Sequence, residues 1–331
     1  MALIDTSPKY SIHRGIERAF ARPPLDKLSH KDHEAWMRTY GRVYKDEEEK
    51  QRRSRIFNDN VKFIEEFNHR NDVTYELAVN KFADLTKEEF LATYANLKVE
   101  ARPSPSSNAN RFRYENFTDI PETMDWRSKG AVTPIRDQGR CGSCWAFSAV
   151  AAIEGITKIK TGKLTPLSVK QLVDCDHGNK GCDGGLESPA FKYVKDNGGL
   201  MAEDSYPYNE EDGTCDLRGT PVAKITGYEY VTKNDEKALL KAVANQPVSI
   251  AVDGTLLQLY RRRVFNGPCH TDLNHAITAV GYGTEGRKKY WLMKNSWGED
   301  WGEDGYLRIA RDVEAGTGLC GLAMDASYPV A

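Results

Sequence analysis

The 331-residue chain contains no uninterrupted apolar run of the roughly 18 residues that a membrane-spanning helix needs, so no span and no membrane partner is expected. Its first residues, MALIDTSPKYSIHRGIERAFARPPL, lack the apolar core of a secretory signal. Charge of one sign is lacking as well. There are 46 Lys+Arg against 48 Asp+Glu, and the balance holds on both sides of residue 119. Nucleic-acid binding calls for a basic face or tail, and none is written here. No cysteine precedes Cys141, and there is no internal repeat or low-complexity array. What is present is 40% hydrophobic and 28% charged, enough for a real core, in a length that suggests about two domains.

The seven cysteines, all from Cys141 onward, are an odd number. In an oxidising compartment that implies three bridges and one free thiol. In a reducing one it means seven buried thiols. Six cysteines allow 15 pairings, so spacing alone does not choose among them.

Along the chain, His30 to Tyr40 reads as a short amphipathic helix, with Trp36 and Tyr40 one turn apart. Asp46 to Asn68 reads as a longer helix opening on an acidic turn, which suits the positive end of the dipole. Ile56, Phe57, Val61, Ile64 and Phe67 share one of its faces. Thr86 and Glu89 have the spacing of a capping box. Residues 98–119, rich in Pro, Ser and Asn, read as an extended and accessible linker carrying a glycosylation sequon at Asn116. Beyond Asp125 the pattern becomes helical, with helices from Cys144 to Ile159, Glu187 to Asn197 and Asp235 to Asn245, the last capped by Asn234. After Pro247 it turns to strands: VSIAV, AITAVGY, KYWLMKN and GYLRIAR.

Chemistry concentrates in Gln138-Gly139-Arg140-Cys141-Gly142-Ser143-Cys144-Trp145. Cys144 heads an expected helix, where the N-terminal partial charge favours thiolate. Cys-x-x-Cys also occurs in redox dithiols and zinc sites. No strand of a thioredoxin-like unit precedes it, and Cys175 and Cys182 do not supply a second metal-binding pair. A thiol nucleophile wants a base, and the base an orienting group. His275, opening an apolar strand, and Asn295, closing another beside Trp297, are the candidates. They follow Cys144 by 131 and 151 residues. Cys-Gly-Ser-Cys-Trp with a His and an Asn at such distances is the signature of papain and the cathepsins.

With these motifs the chain resembles the papain family, over about 300 residues from near Leu28 to the end. Ile120-Pro121-Glu122-Thr123-Met124-Asp125-Trp126-Arg127 looks like a mature N-terminus of plant-type members. Ahead of it, Glu49, Arg53, Phe57, Asn60, Ile64 and Asn68 are similar to the ERFNIN motif of inhibitory pro-segments. Asn80, Phe82 and Asp84 fit most of the GxNxFxD motif, with Ala78 in place of its glycine. The resemblance implies an α+β, two-lobe fold: a helical lobe and a β-barrel-like lobe with a cleft between them, preceded by a small α-helical pro-domain. The expected divisions are a leader remnant 1–28, pro-domain 29–96, linker 97–119 and peptidase 120–331, its lobes meeting near residue 230.

The resemblance also implies roles. Cys144 is the nucleophile, His275 moves the proton, Asn295 orients it and Trp297 shields that bond. Gln138 and the Cys144 amide form the oxyanion hole, and Gly184 and Gly185 bind extended substrate. Bridges are implied for Cys141–Cys182, Cys175–Cys215 and Cys269–Cys320, which requires an oxidising compartment. The expectation is therefore a secretory-pathway protein, vacuolar, lysosomal or extracellular, whose signal is absent from this chain. Protein or peptide substrates, the chain's own pro-segment and cystatin-type inhibitors are the implied partners of a monomer that needs no cofactor or metal. The pro-segment is expected to pack on the β lobe, cross the cleft in the reverse direction and loosen in acid as Asp84 and other carboxylates protonate.

Three positions depart from the family pattern. Asp325 resembles the family's position at the floor of the pocket for the second residue before the cut, where it either admits Arg or Lys beside the usual apolar residues or simply faces solvent. Arg261-Arg262-Arg263 replaces a small turn, as a solvated loop or a tryptic site. Val169 stands where Glu is usual. A catalytically silent storage or binding relative would have lost the nucleophile or base, and a free-standing inhibitor would end near residue 119. This chain does neither.

Overall fold

Residues 32–97 and 112–331 are described by a computed structural model. The N-terminal unit holds α1 (His33–Tyr40), α2 (Glu47–Asn68), a short strand β1 (Glu76–Leu77) and α3 (Lys87–Tyr94). Each helix starts where a side chain accepts its first free amides. Asp32 caps α1, Asp46 caps α2, and Thr86 with Glu89 forms a complete capping box on α3. Helix α2 buries Phe57, Val61, Ile64 and Phe67 on one stripe.

The polar motif residues of α2 serve non-helical backbone. Asn60 donates to the carbonyls of Ala83 and Leu85 at 2.8 and 3.0 Å. Asn68 exchanges two hydrogen bonds with Leu77. Arg53 joins Glu49, Glu89 and the Asp84 carbonyl. A segment with few bonds of its own is thereby hung on a helix.

The main body follows as β2 (Met124–Asp125), α4 (Cys144–Thr161), α5 (Val169–Cys175), α6 (Glu187–Asp196), β3 (Gly227–Tyr230), α7 (Glu236–Asn245), β4 (Val248–Val252), β5 (Tyr260–Arg262), β6 (Val264–Phe265), β7 (His275–Glu285), β8 (Lys288–Lys294), β9 (Tyr306–Ala310) and β10 (Ala326–Val330). Eight strands form one sheet, in the order β3-β10-β4-β7-β8-β9-β6, with β2 added on β7. All pairings are antiparallel except β6 with β9.

Two apolar cores result. One gathers α4, α5 and α6 and takes Ala251 and Ala276 from the sheet. The other fills the β lobe and continues without a break into the N-terminal unit through Trp36, Phe57, Phe82 and Phe90. Helix α4 is buried from Cys144 through Ile156, which its nearly uncharged sequence there permits. No helix among the described residues is long and apolar enough to cross a membrane.

Three local expectations are corrected. Asp235, not Asn234, caps α7, accepting from the amides of Lys237 and Ala238. Residues 112–120 do not continue as a free linker. Phe112 is buried, Tyr114 reaches Gln246 at 3.0 Å and packs on Tyr328, and Arg113 pairs with Glu229. Arg261 and Arg262 are not loop residues but lie in β5, paired with β1. The expected leader 1–28, the expected helix start at His30 and residues 98–111 lie outside the described residues.

Candidate active site

The site assembles where α4 meets the sheet. Cys144, fully buried, is the first residue of α4 and the free cysteine among the described residues. The other six pair as Cys141–Cys182, Cys175–Cys215 and Cys269–Cys320. With Cys141 bound to Cys182, neither a Cys141–Cys144 redox pair nor a zinc site on those two sulfurs can form.

His275 opens β7, and Asn295 follows the last residue of β8. These strands are adjacent and antiparallel, with Thr278 opposite Lys294. Extending that register sets Trp297 opposite His275. The imidazole Nε2 lies 2.8 Å from Asn295 Oδ1, and the indole stacks on the imidazole at 4.3 Å. The Nδ1 atom has no hydrogen-bond partner among the described residues. Ala276, the next residue, is buried in the same core as Cys144, so the start of β7 packs against the start of α4.

Gln138 is buried between the two lobes. Its backbone amide donates to Ser296 O at 2.8 Å, its Oε1 accepts from Ser296 Oγ at 2.7 Å, and its Nε2 donates to Cys141 O at 3.0 Å. One Nε2 proton is thus engaged, and its second is available to a developing oxyanion. Burial pushes the Cys144 thiol up to about 12, and the charge of Glu187 adds to the rise. Burial pushes His275 down to about 4 against the bond to Asn295. Both groups are neutral in this state.

The N-terminal unit adds to that burial. Phe82 and Phe90 meet Trp297 edge-on at 5.7 and 5.1 Å. Its chain then enters the cleft. The Leu97 amide donates to Asn274 O at 2.8 Å, and its side chain is buried with Cys144. Gly184, at φ 108°, lies so close to this segment that a Cβ there would stand 3.3 Å from Asn96 O. Gly185 is tighter still, since a Cβ there would stand 2.5 Å from Asn179 Oδ1. Asp84 is buried and accepts from Tyr44 Oη at 2.9 Å. Asp325 is buried rather than solvent-facing, and its carbonyl accepts from Ala251, which pairs with Ala276 beside His275. Asn116 is exposed.

The sequence models settle what this arrangement belongs to. Residues 120–330 match the model described as "Papain family cysteine protease", and residues 33–90 match "Cathepsin propeptide inhibitor domain (I29)". The chain belongs to the papain family of cysteine proteases. It is 55% identical over 306 residues to the senescence-specific cysteine protease SAG39 of Oryza sativa subsp. indica, covering 90% of this chain and 89% of that one. It is 52% identical over 322 residues to the senescence-specific cysteine protease SAG12 of Arabidopsis thaliana, covering 92% of each. Among solved structures, a recombinant stem bromelain precursor superposes with a TM-score of 0.83 at 47% identity, covering 90% of this chain and 97% of that one. The proform of the ragweed pollen allergen Amb a 11, a cysteine protease, gives 0.82 at 44% identity, covering 91% and 96%. This papain-family chain therefore carries its own inhibitor domain and has the fold of a proenzyme.

Two residues at the papain-family site escaped the sequence reading. Glu187 is buried at the start of α6, and its charge bears on Cys144. Tyr208 donates its phenolic proton to Gln138 O at 2.8 Å and lies 2.7 Å from Ser143 Oγ, which must then donate to it. It thereby ties the Gln138 loop to Ser143, the residue preceding Cys144. Nothing in Tyr206-Pro207-Tyr208 signals this, because both partners lie more than 60 residues away in sequence.

Proposed function

We propose that this chain is the zymogen of a cysteine endopeptidase working through Cys144, His275 and Asn295. The sulfur adds to the scissile carbonyl, forming a C–S bond. His275 Nδ1, having taken the Cys144 thiol proton as the sulfur attacked, gives that proton to the departing amine as the C–N bond breaks, leaving a thioester. The same imidazole then takes a proton from water, whose oxygen displaces the sulfur and releases the acid. Asn295 keeps the ring in place through Nε2, and Trp297 covers that bond. Gln138 Nε2 and the Cys144 amide hold the oxyanion. The observation that carries this reading is the 2.8 Å bond fixing His275 by Nε2 while Nδ1 has no partner among the described residues.

Gln138→Ala in the matured enzyme should lower kcat by about 10²–10³, the usual loss for one oxyanion donor. Tyr208→Phe keeps the ring against Phe147 but removes both tethers, and should lower kcat about fivefold at unchanged KM, in proportion to neutral hydrogen bonds lost. Steady-state kinetics on a fluorogenic dipeptide amide read both. A Gln138→Ala enzyme with the turnover of its parent refutes the oxyanion assignment.

The finer expectations rest on individual residues. The buried Asp325 carboxylate supports acceptance of Arg or Lys two residues before the cut. Cleavage of Arg-Arg relative to Phe-Arg substrates should therefore fall at least about fivefold in Asp325→Ala, the scale of a charge-assisted contact. An unchanged ratio removes Asp325 from specificity. Three disulfides support a secretory, vacuolar or extracellular location. Exposed Asn116 would carry glycan there, which intact mass of the native protein tests. Cystatin-type inhibitors fit a cleft of this kind, and the enzyme is read as a monomer maturing by acid-triggered loss of the pro-segment near residue 119.

A further inference from the structure

Residues 74–80 of the pro-domain run along the β lobe, where β1 and β5 form a two-stranded sheet apart from the eight-stranded one. Thr74 Oγ1 donates to Val264 O at 2.8 Å. Strand β1 pairs with β5, placing Glu76 opposite Arg262 and Leu77 opposite Tyr260. The Ala78 amide donates to Leu259 O at 3.0 Å, and Asn80 Nδ2 donates to Gln258 O at 2.8 Å. The side chains are matched as closely as the backbone. The Tyr75 ring lies 4.6 Å from Phe265 and 6.4 Å from Tyr260. Glu76 sits between two guanidinium groups, 2.5 Å from Arg262 and 2.9 Å from Arg263.

The edge does not depend on its present occupant for its shape. Arg261 donates to Gly302 O at 2.8 Å, the Arg263 amide donates to Glu303 at 2.7 Å, and Tyr260 Oη donates to Arg263 O at 2.6 Å. All of these partners lie in the protease domain. Loss of the pro-domain therefore uncovers an extended segment, held in shape by its own domain, with unpaired main-chain groups, an aromatic notch and two arginines. Open edges invite strand addition and are commonly blunted by charge. Here the charge is of one sign and is already matched by a carboxylate, so it selects as well as repels.

We propose that in the mature protease this edge, residues 258–264, is a second docking site for protein substrates, taking an extended segment with an aromatic, an acidic and an aliphatic residue in succession, as in Tyr75-Glu76-Leu77. The proposal rests on the protease reading and on removal of the pro-domain. Main-chain bonds supply affinity and the arginines supply the choice of an acid. Docking away from the cleft raises the local concentration of the scissile bond. It lowers KM and leaves kcat alone.

The test uses mature enzyme and three fluorogenic substrates with one scissile bond. The first is a short dipeptide amide. The second joins that unit by a flexible Gly-Ser linker to Val-Thr-Tyr-Glu-Leu-Ala-Val-Asn, the sequence of residues 73–80. The third carries Lys for Glu. The Glu substrate should have a KM about fivefold below the Lys substrate, the scale of two part-exposed ion pairs, with equal kcat. In the Arg262→Glu/Arg263→Glu enzyme the preference should reverse, while the short substrate is cleaved as by wild type. Equal KM values in wild type, or a preference that survives charge reversal, overturn the proposal. So does inhibition by the released pro-segment without any substrate preference, or a mature dimer that charge reversal dissociates, which would give the edge to a second copy. Failure of wild-type enzyme to cleave the short substrate would overturn the protease reading itself, and this proposal with it.

Discussion

Iodoacetamide should alkylate Cys144 of the intact precursor at pH 7 at least about a thousandfold more slowly than an ordinary exposed thiol. The thiolate is the reacting form, and a thiol held near 12 is about 10⁻⁵ ionised at pH 7, against a few per cent for a free cysteine. The helix N-terminus at Cys144 favours thiolate, but it does not overcome complete burial while Leu97 and its neighbours fill the cleft. Obstruction adds to the deficit in charge. The pro-domain thus silences the site twice, by blocking it and by keeping sulfur and imidazole neutral. Intact mass after timed alkylation measures the rate. The matured enzyme should gain one adduct at Cys144 quickly, and urea-unfolded precursor should label at the rate of an ordinary cysteine. A folded precursor labelling within tenfold of the unfolded chain would show that the pro-segment leaves the thiol open.

Much of this was legible from residues 30 to 97 and 144 to 310 because the signals there are local. Asp46, and Thr86 with Glu89, mark helix starts by chemistry that needs no tertiary partner. The four strands read between Val248 and Arg311 all appear, within a few residues of their expected ends. Helix α5 was missed because its seven residues are too few for periodicity to register, and it is held by burial on every side. Strand β10 was missed because it is defined by its neighbours β3 and β4, more than 70 residues distant. The same limit applies to the site. Cys144, His275 and Asn295 stand out only as a set with known spacing. The register that joins His275 to Asn295 and stacks Trp297 over them belongs to the sheet. The Tyr208 tether and the Arg262–Glu76 contact are long-range, and no window of sequence contains both partners.

The second large effect concerns acid. Carboxylates were the expected trigger, yet burial makes two histidines respond to acid as well. His275 sits near 4 in the precursor because burial disfavours its charge, whereas in water it would titrate near 6.5. The folded state therefore binds fewer protons than any state in which the ring meets water. The stability at stake is present above pH 6.5 and is lost progressively as pH falls toward 4. A shift of this size corresponds to about 3 kcal/mol. His33, pushed down by burial in the pro-domain and 3.3 Å from Tyr44 Oη, acts in the same direction. Glu89, held below the ordinary carboxylate range by Thr86, Arg52 and Arg53 against its desolvation, contributes stability that is lost only as pH falls below the ordinary carboxylate value. At pH 5 the imidazoles have already begun to favour opening. Urea denaturation of a Cys144→Ala precursor, which cannot process itself, should show stability falling between pH 7 and 4. Adding His275→Gln should flatten that fall by about 3 kcal/mol. Identical slopes in the two proteins would remove His275 from the trigger.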